Sequence, residues 1–142
     1  MRRFMFAAAV ITALPAVANA QSFRAINGLT VVPLTRASFE VIEARGEGPR
    51  GIWCAAAEYA ERRLGARGRV YVSEARGPSR SVRGRKAVVF TVNANALPRG
   101  PFQSTNVTTA QVGVGLPVAH ALQFCRDVFD HDEPIFRRND RG

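Results

Sequence analysis

Runs of alternating apolar and polar residues predict five strands along this chain. The first two, at 29–34 and 38–44, are rich in β-branched residues, and the three residues between them suit a hairpin turn. Residues 69–74 alternate regularly enough to indicate a half-buried strand. Residues 86–93 form the most strand-like run in the chain, and 105–114 is predicted to be the last strand.

Two other stretches repeat their apolar residues at helical spacing. The first, at 52–64, places Cys54 in its first turn and sets Glu58 and Arg62 four residues apart on its solvent side. The second begins at Pro117, a residue well suited to the first turn of a helix. Its buried stripe comprises Val118, Leu122, Cys125 and Phe129.

The order of these elements is strand, strand, helix, strand, strand, strand, helix. A parallel doubly wound sheet requires strict alternation of strands and helices, which this order lacks. We therefore predict an α+β domain with a small, largely antiparallel sheet and two helices packed on one of its faces. Cys54 lies on one helix and Cys125 on the other, so a bond between them would staple the two helices together.

The beginning of the chain has the pattern of a secretory signal peptide spanning 1–20. The dipeptide Arg2-Arg3 precedes an apolar stretch at 4–14, and small residues then suit cleavage near Ala20–Gln21. The apolar stretch is shorter than the roughly 20 residues that span a bilayer, and no later stretch is long enough. We expect a soluble protein in the periplasm or the medium.

Removal of the leader leaves enough chain for a single domain, which we place at 21–136. The hydrophobic fraction of the sequence, 46%, argues against global disorder. Disorder is expected only in the tail at 137–142 and in the polar loop at 77–85.

The sequence contains two cysteines, Cys54 and Cys125. In an oxidising compartment an even pair favours a disulfide, and this is our prediction. A reactive thiol with His120 as its base, in a small hydrolase or thiol enzyme, is the alternative. A zinc site completed by His131 is a further alternative, although the spacing fits no zinc-finger pattern.

The chain is strongly basic, with a formal net charge of +9 that falls to about +7 without the two leader arginines. Lys86 is the sole lysine, and such heavy use of arginine is typical of GC-rich genomes. The densest cluster of cations lies around the 77–85 loop. This candidate binding surface comprises Arg76, Arg80, Arg83, Arg85 and Lys86.

Several partners suit such a surface: anionic lipid, lipopolysaccharide phosphates or an acidic envelope protein. Nucleic acid is excluded because the loop lacks interleaved aromatic residues and the compartment is wrong.

Residues 46–51 match the pattern G-x-G-x-x-G between a predicted strand and a predicted helix, with Glu74 where a dinucleotide-binding fold places its ribose acid. Export, the short chain and the element order argue against such a fold, so Gly48-Pro49 is interpreted as a helix start. An acidic cluster follows the second helix, but its spacing does not fit a calcium loop, and no metal or cofactor is predicted. This cluster comprises Asp127, Asp130, His131, Asp132 and Glu133.

Residues 52–60, with Val70-Tyr71-Val72 and 88–92, resemble small exported proteins of Gram-negative bacteria that carry no assigned function. The resemblance covers most of the chain after the leader. It implies an exported protein with one disulfide, and it supplies no catalytic residues to carry over.

Together these observations favour a non-catalytic binding or accessory module that uses its basic surface. The small hydrolase or thiol enzyme is the rival function, and a purely structural envelope protein is a third.

Overall fold

The computed structural model describes residues 21–102, 104 and 106–126, so the predicted leader, the acidic cluster and the tail lie outside the described residues. Its strands are β1 (Phe23–Arg24), β2 (Thr30–Pro33), β3 (Ser38–Ile42), β4 (Arg69–Pro78), β5 (Lys86–Thr91) and β6 (Gly115–Pro117). They form one sheet in the order β1-β2-β3-β5-β4-β6, and every neighbouring pair is antiparallel. With two helices packed on this sheet, the predicted α+β class is confirmed.

The long helix α1 (Gly48–Leu64) begins earlier than predicted, at Gly48-Pro49. Proline suits the first turn because the N–H that it lacks would have no partner there. The helix ends at Gly65, which adopts a left-handed φ of 63° and donates its N–H to the Glu61 carbonyl. Cys54 therefore lies in the second turn of α1, and its predicted place in the first turn was wrong.

The middle of α1 is buried on all sides, whereas the sequence predicts a single apolar stripe. One side packs on the sheet, where the Trp53 ring lies 5.0 Å from the Phe90 ring. Glu58 was wrongly predicted to be solvated: its carboxylate is buried, accepts the Ile26 N–H at 2.7 Å and lies 3.5 Å from Arg62. The connection between β1 and β2 crosses α1 at this point, which the helical pattern alone cannot show.

The second helix, α2 (Val118–Ala121), begins directly after Pro117 and continues as a 3₁₀ turn (Leu122–Cys125). Both segments pack on α1. Cys125 is bonded to Cys54, with their Cα atoms 5.0 Å apart, so the predicted disulfide between the helical segments is confirmed.

The last strand lies at Gly115–Pro117, so its prediction at 105–114 was wrong. Phe102 and Val114 make only an isolated bridge, and β6 pairs instead with the start of β4. Gly115 suits this position because a Cβ there would overlap the Tyr71 ring. The two-residue strand β1 is an addition that the sequence pattern did not predict.

Candidate functional site

The face of the sheet opposite α1 positions the basic loop. Phe39 and Val41 of β3 belong to the core beneath α1, so the alternation of side chains places Glu40 and Ile42 on the other face. Glu40 is nevertheless fully buried, because the β4–β5 loop at 79–85 folds over this face.

Glu40 holds this loop through three hydrogen bonds. Its carboxylate accepts from Ser79 Oγ at 3.0 Å, from the Arg80 N–H at 3.1 Å and from the Ser81 N–H at 2.9 Å. Burial alone would raise the pKa of Glu40, but these hydrogen bonds outweigh it and hold the pKa below its usual value. The loop that we expected to be disordered therefore has a defined conformation around an ionised carboxylate.

The five predicted surface residues differ in what they contact. Arg76 forms a two-pronged ion pair with Glu43, and this contact lowers the pKa of that carboxyl. Arg80 pairs with Glu74. Arg85 donates from Nη2 to the Glu43 carbonyl at 2.8 Å, which fixes its guanidinium without neutralising it. The other two members, Arg83 and Lys86, are exposed.

Two further arginines, which sequence reasoning missed, lie at the same end of the sheet. Arg24 ends β1, and Arg45 precedes α1 with a left-handed φ of 59°. Together with Arg85 they line a groove of about 250 Å³. The rest of its lining carries no acid and comprises Gly28, Thr30, Ile42, Ala44 and Val82.

A second groove, of about 210 Å³, adjoins the first, because both are lined by Ala44, Arg45 and Arg85. Lys86 and Glu43 also line this second groove. We call this region the basic end, defined as Arg24, Arg45, Arg83, Arg85 and Lys86.

The G-x-G-x-x-G segment forms a turn and the start of α1. Gly46 and Gly48 adopt positive φ values of 69° and 64°. The Glu47 side chain occupies the space over Gly51, where a Cβ would meet it. A carboxylate thus stands at the start of α1, where a dinucleotide-binding fold would hold pyrophosphate.

The residues of the rival thiol-enzyme hypothesis do not form a catalytic pair in this structure. Cys54 and Cys125 are buried and bonded to each other, so neither carries a thiol. His120 is exposed on α2, and its ring lies 5.5 Å from that of Phe124. Within the described part of the chain, no three potential metal ligands cluster, and His131 lies outside it.

A mainly apolar cleft of about 600 Å³ has both Phe102 and Val112 in its lining. Phe102 is 49% exposed there. The segment that joins its two walls includes positions 103 and 105, which lie outside the described residues.

No protein-family model matches this chain, and comparisons with curated proteins and with solved structures found no match. In the portion of the chain that the structure covers, no helix is long and apolar enough to cross a bilayer. The basic end is therefore the feature of the molecule from which we infer a function.

Proposed function

We propose that this protein is an exported, non-catalytic binding module that recognises an acidic partner in the cell envelope through its basic end. The observation that carries the proposal is the groove lined by Arg24, Arg45 and Arg85 without an acidic side chain. The leader pattern and the disulfide support the exported location.

The distribution of acids in the domain supports this proposal. Residues 21–126 contain no aspartate, and most of their glutamates already have local partners. Glu58 pairs with Arg62, Glu43 pairs with Arg76 of β4, and Glu74 pairs with Arg80 of the β4–β5 loop. Lys86 lies close enough to Glu43 to help lower the pKa of that carboxyl, whereas the groove lined by Arg24, Arg45 and Arg85 has no acidic side chain in its lining. Such a surface attracts anionic partners over about a Debye length.

Two of the five predicted surface residues contribute less to this proposal than expected. Arg76 and Arg80 are each paired with a carboxylate, so a partner would have to compete with Glu43 or Glu74 for them. The binding hypothesis therefore centres on Arg83, Arg85 and Lys86, joined by the two arginines that the sequence pattern did not single out.

Replacing Arg83, Arg85 and Lys86 together by serine is expected to abolish partner capture and to leave the melting temperature nearly unchanged. The three side chains are exposed, so their removal costs little packing. Capture is measured by crosslinking the tagged, exported protein in cells, followed by mass spectrometry at two salt concentrations.

The matched control removes the same charge away from the basic end, by serine at Arg36, Arg67 and Arg99, none of which lines either groove. Arg36 lies in the β2–β3 turn and Arg67 just before β4, while the basic end adjoins the last residue of β3. This control is expected to retain the partner. Equal capture by both variants would overturn the proposal.

A further inference from the structure

We infer that the groove between Arg24, Arg45 and Arg85 is a binding site for a phosphate group that carries a short apolar substituent. This inference rests on the proposed function and names the ligand class of its groove. The lining brings three guanidinium-bearing residues from separate parts of the chain to one place: β1, the loop before α1 and the β4–β5 loop.

The chemistry of arginine favours phosphate as the anion. A guanidinium presents its N–H groups in a planar fork that matches two oxygens of a phosphate or carboxylate. Arg85 is already oriented by its hydrogen bond to the Glu43 carbonyl, which leaves its charge available. Several guanidinium groups around one groove suit an anion with more than two acceptor oxygens, which is a property of phosphate and not of carboxylate.

Arg45 is held in a conformation that an L-residue seldom adopts. Its φ of 59° lies in the left-handed region, and among the residues that the structure describes no other non-glycine residue has a positive φ. Its guanidinium lies over Gly28, where a Cβ would approach Arg45 Nη1 to 3.2 Å. Backbone strain of this kind concentrates at ligand sites, and here it places a charged side chain at the groove.

Part of the groove lining is apolar. Val82, in the β4–β5 loop, is 37% exposed, and Ile42 also belongs to the lining. Ser79 Oγ accepts the Val82 N–H at 2.9 Å, and Ser79 is in turn bonded to Glu40. The apolar wall is therefore positioned by the buried carboxylate.

The size of the groove limits the ligand. Its volume of about 250 Å³ lies below the range of about 300–1,000 Å³ that is usual for pockets that enclose drug-sized ligands. A groove of this size suits a phosphate with its first few attached carbons and would not enclose a nucleotide. A phospholipid headgroup and a water-soluble alkyl phosphate share this chemistry.

The decisive variant is Arg45→Gly, because ligand binding and folding should respond to it in different directions. Glycine relieves the left-handed strain, so the melting temperature is expected to stay the same or rise. Loss of one guanidinium is expected to weaken binding of butyl phosphate at least about tenfold, as measured by calorimetry on the full chain at low salt. Arg36→Ser, one charge removed at the far end of the sheet, is expected to change the affinity less than about twofold.

Two further binding measurements identify the source of the phosphate. Butyl phosphate should bind more tightly than inorganic phosphate, and this preference should shrink in Val82→Ser. Sedimentation with phosphatidylcholine vesicles that contain phosphatidic acid, compared with phosphatidylcholine alone, tests the lipid form. Binding to both the ester and the vesicles supports a lipid headgroup, and binding to the ester alone supports a soluble ligand.

An equal loss of affinity in Arg45→Gly and Arg36→Ser would overturn the site, because general attraction to a basic protein would then explain the binding. Absence of phosphate binding, with partner capture in cells intact, would also overturn it while leaving the proposed function standing. Absence of both would remove the proposed function as well.

Discussion

Replacing Cys54 and Cys125 together by alanine is expected to lower the free energy of unfolding by about 4 kcal/mol. The bond closes a loop with a sequence separation of 71 residues, so its loss releases a large conformational entropy in the unfolded chain. A domain of this size loses roughly 4–8 °C of melting temperature per kcal/mol, so a fall of at least about 15 °C is expected. Denaturant unfolding at neutral pH measures the change.

The native state gives a second reason for a large effect. The segment that carries Cys125 consists of the four-residue helix α2 and a 3₁₀ turn, both far too short to be stable alone. Its position against α1 depends on apolar packing and on the bond to Cys54. Loss of the bond should therefore loosen this segment before the sheet unfolds, with early hydrogen exchange at the backbone N–H groups of positions 121 and 125.

Reduction of the native protein provides the matched control for this prediction. A strong reductant should shift the native protein to the stability of the double variant and should leave the double variant unchanged. A loss below about 1 kcal/mol would show that packing on α1 alone holds the segment that carries Cys125.

The elements with the clearest periodicity are those that the sequence predicted best. Strand β3 and strand β5 lie within their predicted ranges, and the antiparallel class followed from the order of the elements. The disulfide was predictable because the chain contains a single pair of cysteines and begins with the pattern of a signal peptide. These features depend on local residue patterns or on the number of cysteines, both of which a sequence shows directly.

The remaining features depend on contacts between distant parts of the chain. β1 and β6 are two and three residues long, too short for a recognisable alternation, and they exist because a neighbouring strand supplies their partners. Glu40 sits in a strand where alternation indicates an exposed side, and only the loop some forty residues later buries it.

The basic end shows the same limitation at the candidate site. Density of charge along the chain pointed to the surface around the 77–85 loop, but ion pairs with Glu43 and Glu74 neutralise Arg76 and Arg80, two of its five predicted residues. Arg24 and Arg45 stand apart in the sequence and meet Arg85 only through the sheet order. A left-handed arginine has no sequence signature, since glycine or asparagine would be expected at such a position.

Substituting Glu40 by alanine is expected to lower the free energy of unfolding by about 2–4 kcal/mol and to release the 79–85 loop. The variant leaves Ser79 Oγ and the N–H groups of Arg80 and Ser81 without their acceptor, and it opens a space beneath the loop. Because Val82 and Arg85 lie on this loop, the groove of the basic end should lose its apolar wall and one cation. Hydrogen exchange at Arg80 and Ser81, together with denaturant unfolding, measures both effects.

Glu74→Gln is the matched control for this prediction, because Glu74 is a partly exposed carboxylate on β4, one strand beyond β5, that also contacts the loop, through Arg80. A surface ion pair of this kind contributes about 0–1 kcal/mol, so exchange at Ser81 should stay slow in that variant. If Glu40→Ala exchanged no faster at Ser81 than Glu74→Gln, the carboxylate would not be the anchor of the loop.

Acid should reproduce the effect of Glu40→Ala, and the sign follows from the direction of the pKa shift. The pKa of Glu40 is lower in the fold than its usual value near 4.5, so its contribution to stability is complete above that value and is lost as the pH falls through the folded pKa. Glu43 should also make the protein less stable as the pH falls, because Arg76 lowers the pKa of that carboxyl too. Glu40→Gln separates the contribution of Glu40 from that of Glu43. Compared with the native protein, this variant should be less stable at pH 7 and should lose less stability between about pH 5 and pH 3. Parallel stability curves for the two proteins would mean that protonation of Glu40 does not govern the loop, and that the Arg85 side of the groove is held by the β4–β5 ladder instead.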